Sequence, residues 1–427
     1  MTGTSTIVLP SAVRGGTFRS LGNRNYRLYF IGQLVSVCGT WMQATAQAAY
    51  IQFVLGGKGR ELGRLSLFTF LPILLIGMWA GAVTDRLDRR RLLIYMQGVL
   101  ALIAAVQTAV VASGAARIWI FYALAACTGT ANAFEMPARQ TFVTQLVGPE
   151  DLPNAVGLNS SIFNSGRLIG PAIGGVLVNV VGYSWCFALN AASFGAILIG
   201  LVMMRASELY PSRRAARAKG QVREGIRHVR NVPVLATVLL LVAIFGTLSM
   251  NFQVFLPLMA KEVFRGGPRM VGLFQSMIGV GSLTGALLTA RRSKASPIVI
   301  ISSALVFGIS FGAFALSRTA WLACVFLIPA GYGFISFLLA CNTTLQLSSA
   351  PSMRGRVMAL YSVMFAGSTP IGAPSVGWVA DHVGERQSVL VGATGALVTG
   401  LLAAVAYRRG RLSVARPQPN GLNRDSQ

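Results

Sequence analysis

A chain of 427 residues in which 54% are apolar and only 11% charged lies outside the balance of a soluble globular domain, so a membrane protein is the first reading. The formal charge of +25 does not mark a nucleic-acid partner, because the basic residues are spread over the short segments between apolar stretches. The four lysines include no G-x-x-x-x-G-K-[ST], so an ATP-driven pump is not expected. The two histidines, His228 and His382, are far apart and no H-E-x-x-H or G-x-S-x-G occurs, so neither an enzyme nor a metal or cofactor site is expected.

In chain order, the first 27 residues are polar and basic with no short apolar core before a small-residue cleavage site, and no removable signal peptide is expected. Twelve apolar segments follow, near 28–55, 65–84, 92–113, 118–134, 152–181, 184–204, 233–259, 271–290, 297–316, 320–347, 357–380 and 389–407. Most reach the roughly 20 residues that an α-helix needs to cross a bilayer. They lack the alternation of barrel strands, and a lipid-exposed backbone must satisfy its own hydrogen bonds, so the fold class is all-α. With the N-terminus in the cytoplasm, 27 of the 37 Lys and Arg fall on the inner side, nine on the outer, and Arg167 lies within a span. That bias predicts cytoplasmic termini and contact with anionic headgroups. Cys38, Cys127, Cys186, Cys324 and Cys341 are isolated within the spans and are expected to pack, not to form disulfides.

The longest polar interruption, 205–232, is basic with alternating apolar positions and predicts a cytoplasmic linker carrying an amphipathic helix on the inner leaflet. It divides the chain into a tail (1–27), a six-helix bundle (28–204), the linker, a second six-helix bundle (233–407) and a C-terminal tail (408–427). A shift of 202 residues sets Gly170, Gly175 and Gly182 over Gly372, Gly377 and Gly384, the trace expected of a duplicated unit. Two related bundles with a site between them form the architecture of a transporter that alternates access by rocking.

In the fifth span, Gly157, Gly166, Gly170, Pro171, Gly174 and Gly175 form a small-residue pattern in which Gly166, Gly170 and Gly174 share one face, so another helix can approach closely. Pro171 removes one hydrogen bond and predicts a bend. This spacing resembles the fifth-helix signature of proton-coupled exporters of the major facilitator superfamily. After the second span, Gly81, Asp85, Arg86, Arg89 and Arg90 resemble that superfamily's loop motif, with Asp88 in place of its second glycine. "GQLVSVCGTWMQ", the stretch from Pro137 to Gly175 and "GWVADHVGER" resemble, more narrowly, the drug and siderophore exporter branch that includes enterobactin export. The resemblance implies twelve helices in two bundles, alternating access, a proton as the coupling ion, and a gating role for the loop. Asp85 would face the start of the eleventh helix, near Arg354 and Arg356, where the helix dipole favours a carboxylate.

Arg167, at mid-span, must face a cavity or a partner, since a cation costs several kcal/mol in hydrocarbon. Its two readings are a hydrogen-bonded structural arginine and a contact for an anionic group on a substrate. Proton coupling needs a carboxylate that can be neutralised inside the membrane. Glu135 and Asp381 are the candidates, with Glu135 alternatively paired to Arg139 one turn on. Gln43, Gln47, Asn251, Gln253, Tyr332 and Asn342 are candidate cavity-lining residues, or else interhelical hydrogen-bonding groups. The chain is expected to export a small organic molecule across a bacterial inner membrane by proton antiport, as a monomer. A proton-coupled importer on the same fold is the alternative.

Overall fold

The computed structural model describes residues 18–84, 86–211, 221–290, 296–350 and 353–412, and these are the described residues below. Among them there is no strand. The first six spans are α1 (Arg24–Phe53), α2 (Gly59–Thr84), α3 (Arg89–Ala112), α4 (Ile118–Leu146), α5 (Leu152–Val180) and α6 (Tyr183–Val202). After the short α7 (Gln221–Asn231), the seventh span is divided into α8 (Pro233–Ser249) and α9 (Phe252–Leu258), followed by a π-turn at Met259–Val263. The last five are α10 (Pro268–Ala290), α11 (Pro297–Leu316), α12 (Ala320–Ser348), α13 (Arg354–His382) and α14 (Glu385–Arg408). The twelve expected spans are present. The structure adds the break at Met250 and Asn251, and α2, α4 and α13 run past their apolar segments because helical backbone continues into polar flanks.

Local chemistry sets the helix starts. Asn23 accepts from the Tyr26 amide at 3.1 Å and caps α1, and Asp88 accepts from the Arg91 amide at 2.9 Å and caps α3. Asp88 replaces the glycine of the loop motif in an extended backbone, φ −65°, where a side chain is free of strain. Among the described residues, eight spans are long and apolar enough to cross a membrane by themselves; α1, α4, α5 and α13 fall below that mark. These four carry several of the amides and glycines through which the helices meet.

Each half repeats one packing scheme. The first helix of each bundle lies against the fifth and sixth, the second against the fourth, and the third against the fourth and sixth. The glycines repeat with it. Gly129 of α4 meets the Thr69 carbonyl of α2, and Gly331, 202 residues on, meets Ile278 of α10. Gly182 and Gly384 both have positive φ, 87° and 129°, and open α6 and α14 at equivalent turns. The duplication expected from the 202-residue shift is therefore visible in the packing. The second bundle adds a ladder of aromatic contacts through Phe245, Phe307, Phe311 and Phe314, with Phe252 against Phe334 at 5.2 Å between centroids.

α7 forms as the linker pattern predicts. Glu224 pairs with Arg356 at 2.8 Å, which places α7 against the start of α13. Residues 212–220 of the linker lie outside the described residues.

The glycine face of α5 turns to α1, within its own bundle. A β-carbon on Gly170 would come within 2.6 Å of Trp41 Cβ and 2.7 Å of the Cys38 carbonyl, and one on Gly174 within 2.8 Å of the Met42 carbonyl. The helix that approaches the stripe is therefore α1, and the stripe does not form a face between the bundles. The packing expected of Gly157 is corrected: it is exposed, with nothing within 4 Å of the point where a β-carbon would stand, because the contact with α1 begins farther along α5. Gly170→Ala is expected to destabilise the protein by about 1–3 kcal/mol through overpacking, whereas Gly157→Ala is neutral or slightly stabilising by helix propensity. Thermal unfolding of the two purified variants measures both effects, and equal midpoints would contradict the packing assignment.

Candidate functional site

The bundles meet along two seams, α5 with α10 and α2 with α13, related by the internal repeat. Both seams are backbone contacts. At the first, a β-carbon on Gly175 would lie 3.0 Å from Gly272 Cα, and one on Gly279 would lie 2.8 Å from Leu168 Cα. At the second, a β-carbon on Gly63 would lie 2.6 Å from the Ala373 carbonyl, and Gly377 meets the Gly59 carbonyl. Removing side chains lets these backbones approach where hydrophobicity offers no drive, because lipid is as apolar as protein.

The contacts cluster in one half of the molecule. α1 starts and α14 ends on one face, here the termini face; Gly59, Gly175, Gly272 and Gly377 lie toward the opposite, far face. Thr45 donates to Gln275 at 2.9 Å and Ser276 to the Leu168 carbonyl at 3.2 Å, also in the far half or at mid-span. The far face itself is closed by charges placed on helix ends. Asp381 accepts from the Gly59 and Arg60 amides at 2.7 and 3.0 Å, at the start of α2, and pairs with Arg60 Nε at 3.2 Å. Lys261 donates to the Gln52 carbonyl at 2.7 Å, in the last turn of α1, and lies 5.6 Å from the Phe53 ring centre. A carboxylate on an N-terminus and an ammonium on a C-terminus both complement the helix dipole.

On the termini side of the seams, Gly157, Ser160 and Ser161 of α5, Thr284 and Leu287 of α10, and Leu75, Met78 and Trp79 of α2 are exposed. Arg167 precedes Leu168 on α5, at the Gly279 contact of the α5–α10 seam. Its Nε and Nη1 are buried without a hydrogen-bond partner. The guanidinium lies 5.3 Å from the Trp41 ring centre on α1 and 5.6 Å from that of Phe334 on α12, so aromatic faces from both bundles meet it. Gly166 and Gly170 flank Arg167 along α5 and receive Trp41, so the glycine stripe sets the ring beside the cation. No ion pair to Arg167 occurs among the described residues, and Gln275 leaves its Nε2 buried and unpartnered.

The remaining sequence candidates divide. Gln43 is engaged inside the first bundle: it donates to Gln107 at 2.6 Å and accepts from Asn190 at 2.7 Å, so its amide bridges α1, α3 and α6 and is not presented to the seam. Gln47 and Gln253 are half-buried. Asn251 sits at the break before α9, donates to the Thr247 carbonyl at 2.8 Å and keeps a buried, unpartnered Oδ1. Tyr332 and Asn342 are half-buried on α12, and Asn342 accepts from Gln346 at 2.6 Å. Glu135 is buried, 3.5 Å from Arg139 and accepting from Gln97 at 3.2 Å, with Arg139 over the Phe163 ring at 4.3 Å. Asp381 belongs to the far seam, away from Arg167. Of the loop motif, Asp85 lies outside the described residues, Gly81 stands in the last turn of α2 with open space around it, Arg86 is exposed and Arg89 is half-buried. Arg90 donates to the Leu201 and Val202 carbonyls at 2.8 and 3.0 Å, at the end of α6. Trp41, Phe334, Thr45 and Gln275 were not singled out from the sequence. An amide in the apolar run "GLFQSM" is the signal that points to Gln275.

The chain matches the family model of transmembrane secretion effectors, within the major facilitator superfamily, over residues 15–416. It is 24% identical to macrolide efflux protein A of Streptococcus pyogenes, over 87% of this chain and 94% of that protein. It is 23% identical to the enterobactin exporter of Citrobacter koseri, over 88% and 90%. A crystal structure of a POT family transporter in complex with 5-aminolevulinic acid has the same fold, with a TM-score of 0.74 at 11% identity, covering 92% of this chain and 99% of that one.

If Asp381 holds the far face shut, Asp381→Asn should speed the reaction of a cysteine placed at Thr45 with a membrane-impermeant thiol reagent added from the far side. Loss of a charge-assisted hydrogen-bond set predicts an increase of about tenfold. An unchanged labelling rate would remove the clasp.

Proposed function

Since the chain belongs to the transmembrane secretion effector family of the major facilitator superfamily, and is a membrane transporter and not an enzyme, we propose that it exports a small organic molecule in exchange for protons. Efflux relatives and the fifth-helix spacing support the direction. The basic bias of the segments on the termini face supports a cytoplasmic location for that face, so the described conformation is read as the one that loads substrate from inside the cell. Alternating access then consists of rocking the bundles about Arg167, opening the Gly63–Ala373 and Gly175–Gly272 contacts as the termini side closes. Helix-dipole contacts such as those of Asp381 and Lys261 contribute about 0.3–1 kcal/mol each when partly exposed, small enough for the motion to reverse.

The observation that carries the reading is Arg167: a cation at the α5–α10 seam with no ion pair among the described residues and with aromatic rings from both bundles beside it. The binding surface comprises Arg167 with Trp41 and Phe334, extended on α1 and in the second bundle by Gln47, Asn251, Gln253, Tyr332 and Asn342. Glu135 is assigned to proton exchange, as the buried carboxylate within a span. Its pairing with Arg139 sets the constraint that protonation must be matched by movement of Arg139 or by water reaching it. The protein is read as acting alone, as a monomer in the inner membrane with both termini cytoplasmic.

Inverted membrane vesicles test the reading. Acidifying the lumen should drive accumulation of a transported compound, and collapsing the pH difference should abolish it. Glu135→Gln should keep substrate binding while losing the response to the gradient. Accumulation that ignores the gradient contradicts antiport, and accumulation only in right-side-out vesicles contradicts export.

A further inference from the structure

We infer that the subsite at Arg167 takes a carboxylate attached to an aromatic or similarly flat apolar body, so that the transported class is organic anions. The inference rests on the transporter reading above and narrows its substrate.

The first support is charge. Nothing among the described residues neutralises Arg167: Glu135 is held by Arg139 and Gln97, Asp381 by the start of α2, and the other described acids stand at helix ends or in connections. A buried charge without an acidic partner is destabilising, and the protein retains it where the bundles meet. A ligand carboxylate supplies the missing charge and accepts hydrogen bonds from Nε and Nη1, the geometry at which a guanidinium outperforms an ammonium.

The second support is the sign of the neighbouring orphan. Gln275 Oε1 is occupied by the Thr45 hydroxyl, which leaves the Nε2 donor unpartnered. Gln275 lies one turn before Gly279, and Gly279 packs directly on the Arg167 backbone. Beside Arg167 the unsatisfied groups are donors, Arg167 Nε and Nη1 and Gln275 Nε2, so the complementary ligand group there is an acceptor and a cationic amine would meet repulsion; the unpartnered acceptor, Asn251 Oδ1, belongs to the break before α9.

Shape is the third. Trp41 is seated in the Gly166 and Gly170 notches, and Phe334 is braced edge-on by Phe252. Two fixed aromatic walls, one from each bundle, favour a flat apolar body next to the anion. Because the walls belong to different bundles, such a ligand touches both halves at once, as a ligand that biases their rocking must.

The test uses purified full-length protein in lipid nanodiscs and reads tryptophan fluorescence with 1-naphthoate, 1-naphthamide and 1-naphthylmethylammonium. The acid should bind at least about tenfold more tightly than the amide, the worth of one charge-assisted hydrogen-bonded pair, and the ammonium should not bind. Arg167→Gln should erase the preference for acid over amide. Arg167→Lys, which keeps the charge but loses the planar fork, should weaken binding of the acid more than that of the amide, with its folding checked by the thermal unfolding midpoint. Equal binding of acid and amide, no binding of the acid, or a preference that survives in both variants overturns the proposal. The vesicle assay separates the two readings: export of neutral compounds without preference for acids sinks the anion site and leaves export standing, whereas acid-selective binding with inward-only transport does the reverse.

Discussion

Backbone-to-backbone contact at glycine is the constraint on which this architecture depends. Helices in lipid gain nothing from hiding apolar side chains from one another, so they adhere by close approach and by the few polar groups placed between them. Here glycine does two separate jobs that lie one residue apart on α5. Gly166, Gly170 and Gly174 bind α5 to α1 within a bundle, and Gly175 joins α5 to α10 across the bundles. The first contact lies within one bundle; the second is the kind of contact that the proposed rocking motion would break and remake.

The same stripe sets up the candidate site. Because Gly166 and Gly170 carry no side chains, Trp41 settles against α5 on either side of Arg167, and the cation is faced by a ring held in place by the intrabundle packing. Phe334 approaches from the second bundle, where the aromatic ladder fixes it. A guanidinium where the two bundles meet, with unpartnered donors and no acid beside it among the described residues, connects the packing to the chemistry: what stabilises the bundle also sets a ring beside the cation.

Much of this was legible in the sequence because membrane burial writes itself in long apolar runs and in charge bias. The twelve spans follow from those signals and the repeat from the spacing of glycines, two of which, with positive φ, stand at equivalent turns. What was not legible are the partners of shared faces. A glycine stripe states that some helix comes close and does not state which, so the α1 contact was out of reach, as was the bareness of Gly157. Gln43 shows the same limit: an amide in a span must find a partner, and only the fold shows that Gln107 and Asn190 lie within reach. The break at Met250 and Asn251 has no proline or glycine there to announce it. Arg167 was recognisable as anomalous from its position alone, while its aromatic neighbours, distant in sequence, were not.

The central claim is that the far seam between α2 and α13 must open during every cycle. Its most direct measurement is transport by a protein with cysteines at Arg60 and Asp381, in a background lacking the five native cysteines, joined by a short reducible bifunctional thiol reagent. The account predicts that transport stops on cross-linking and returns on reduction. Transport that continues at its original rate with the seam locked would contradict it.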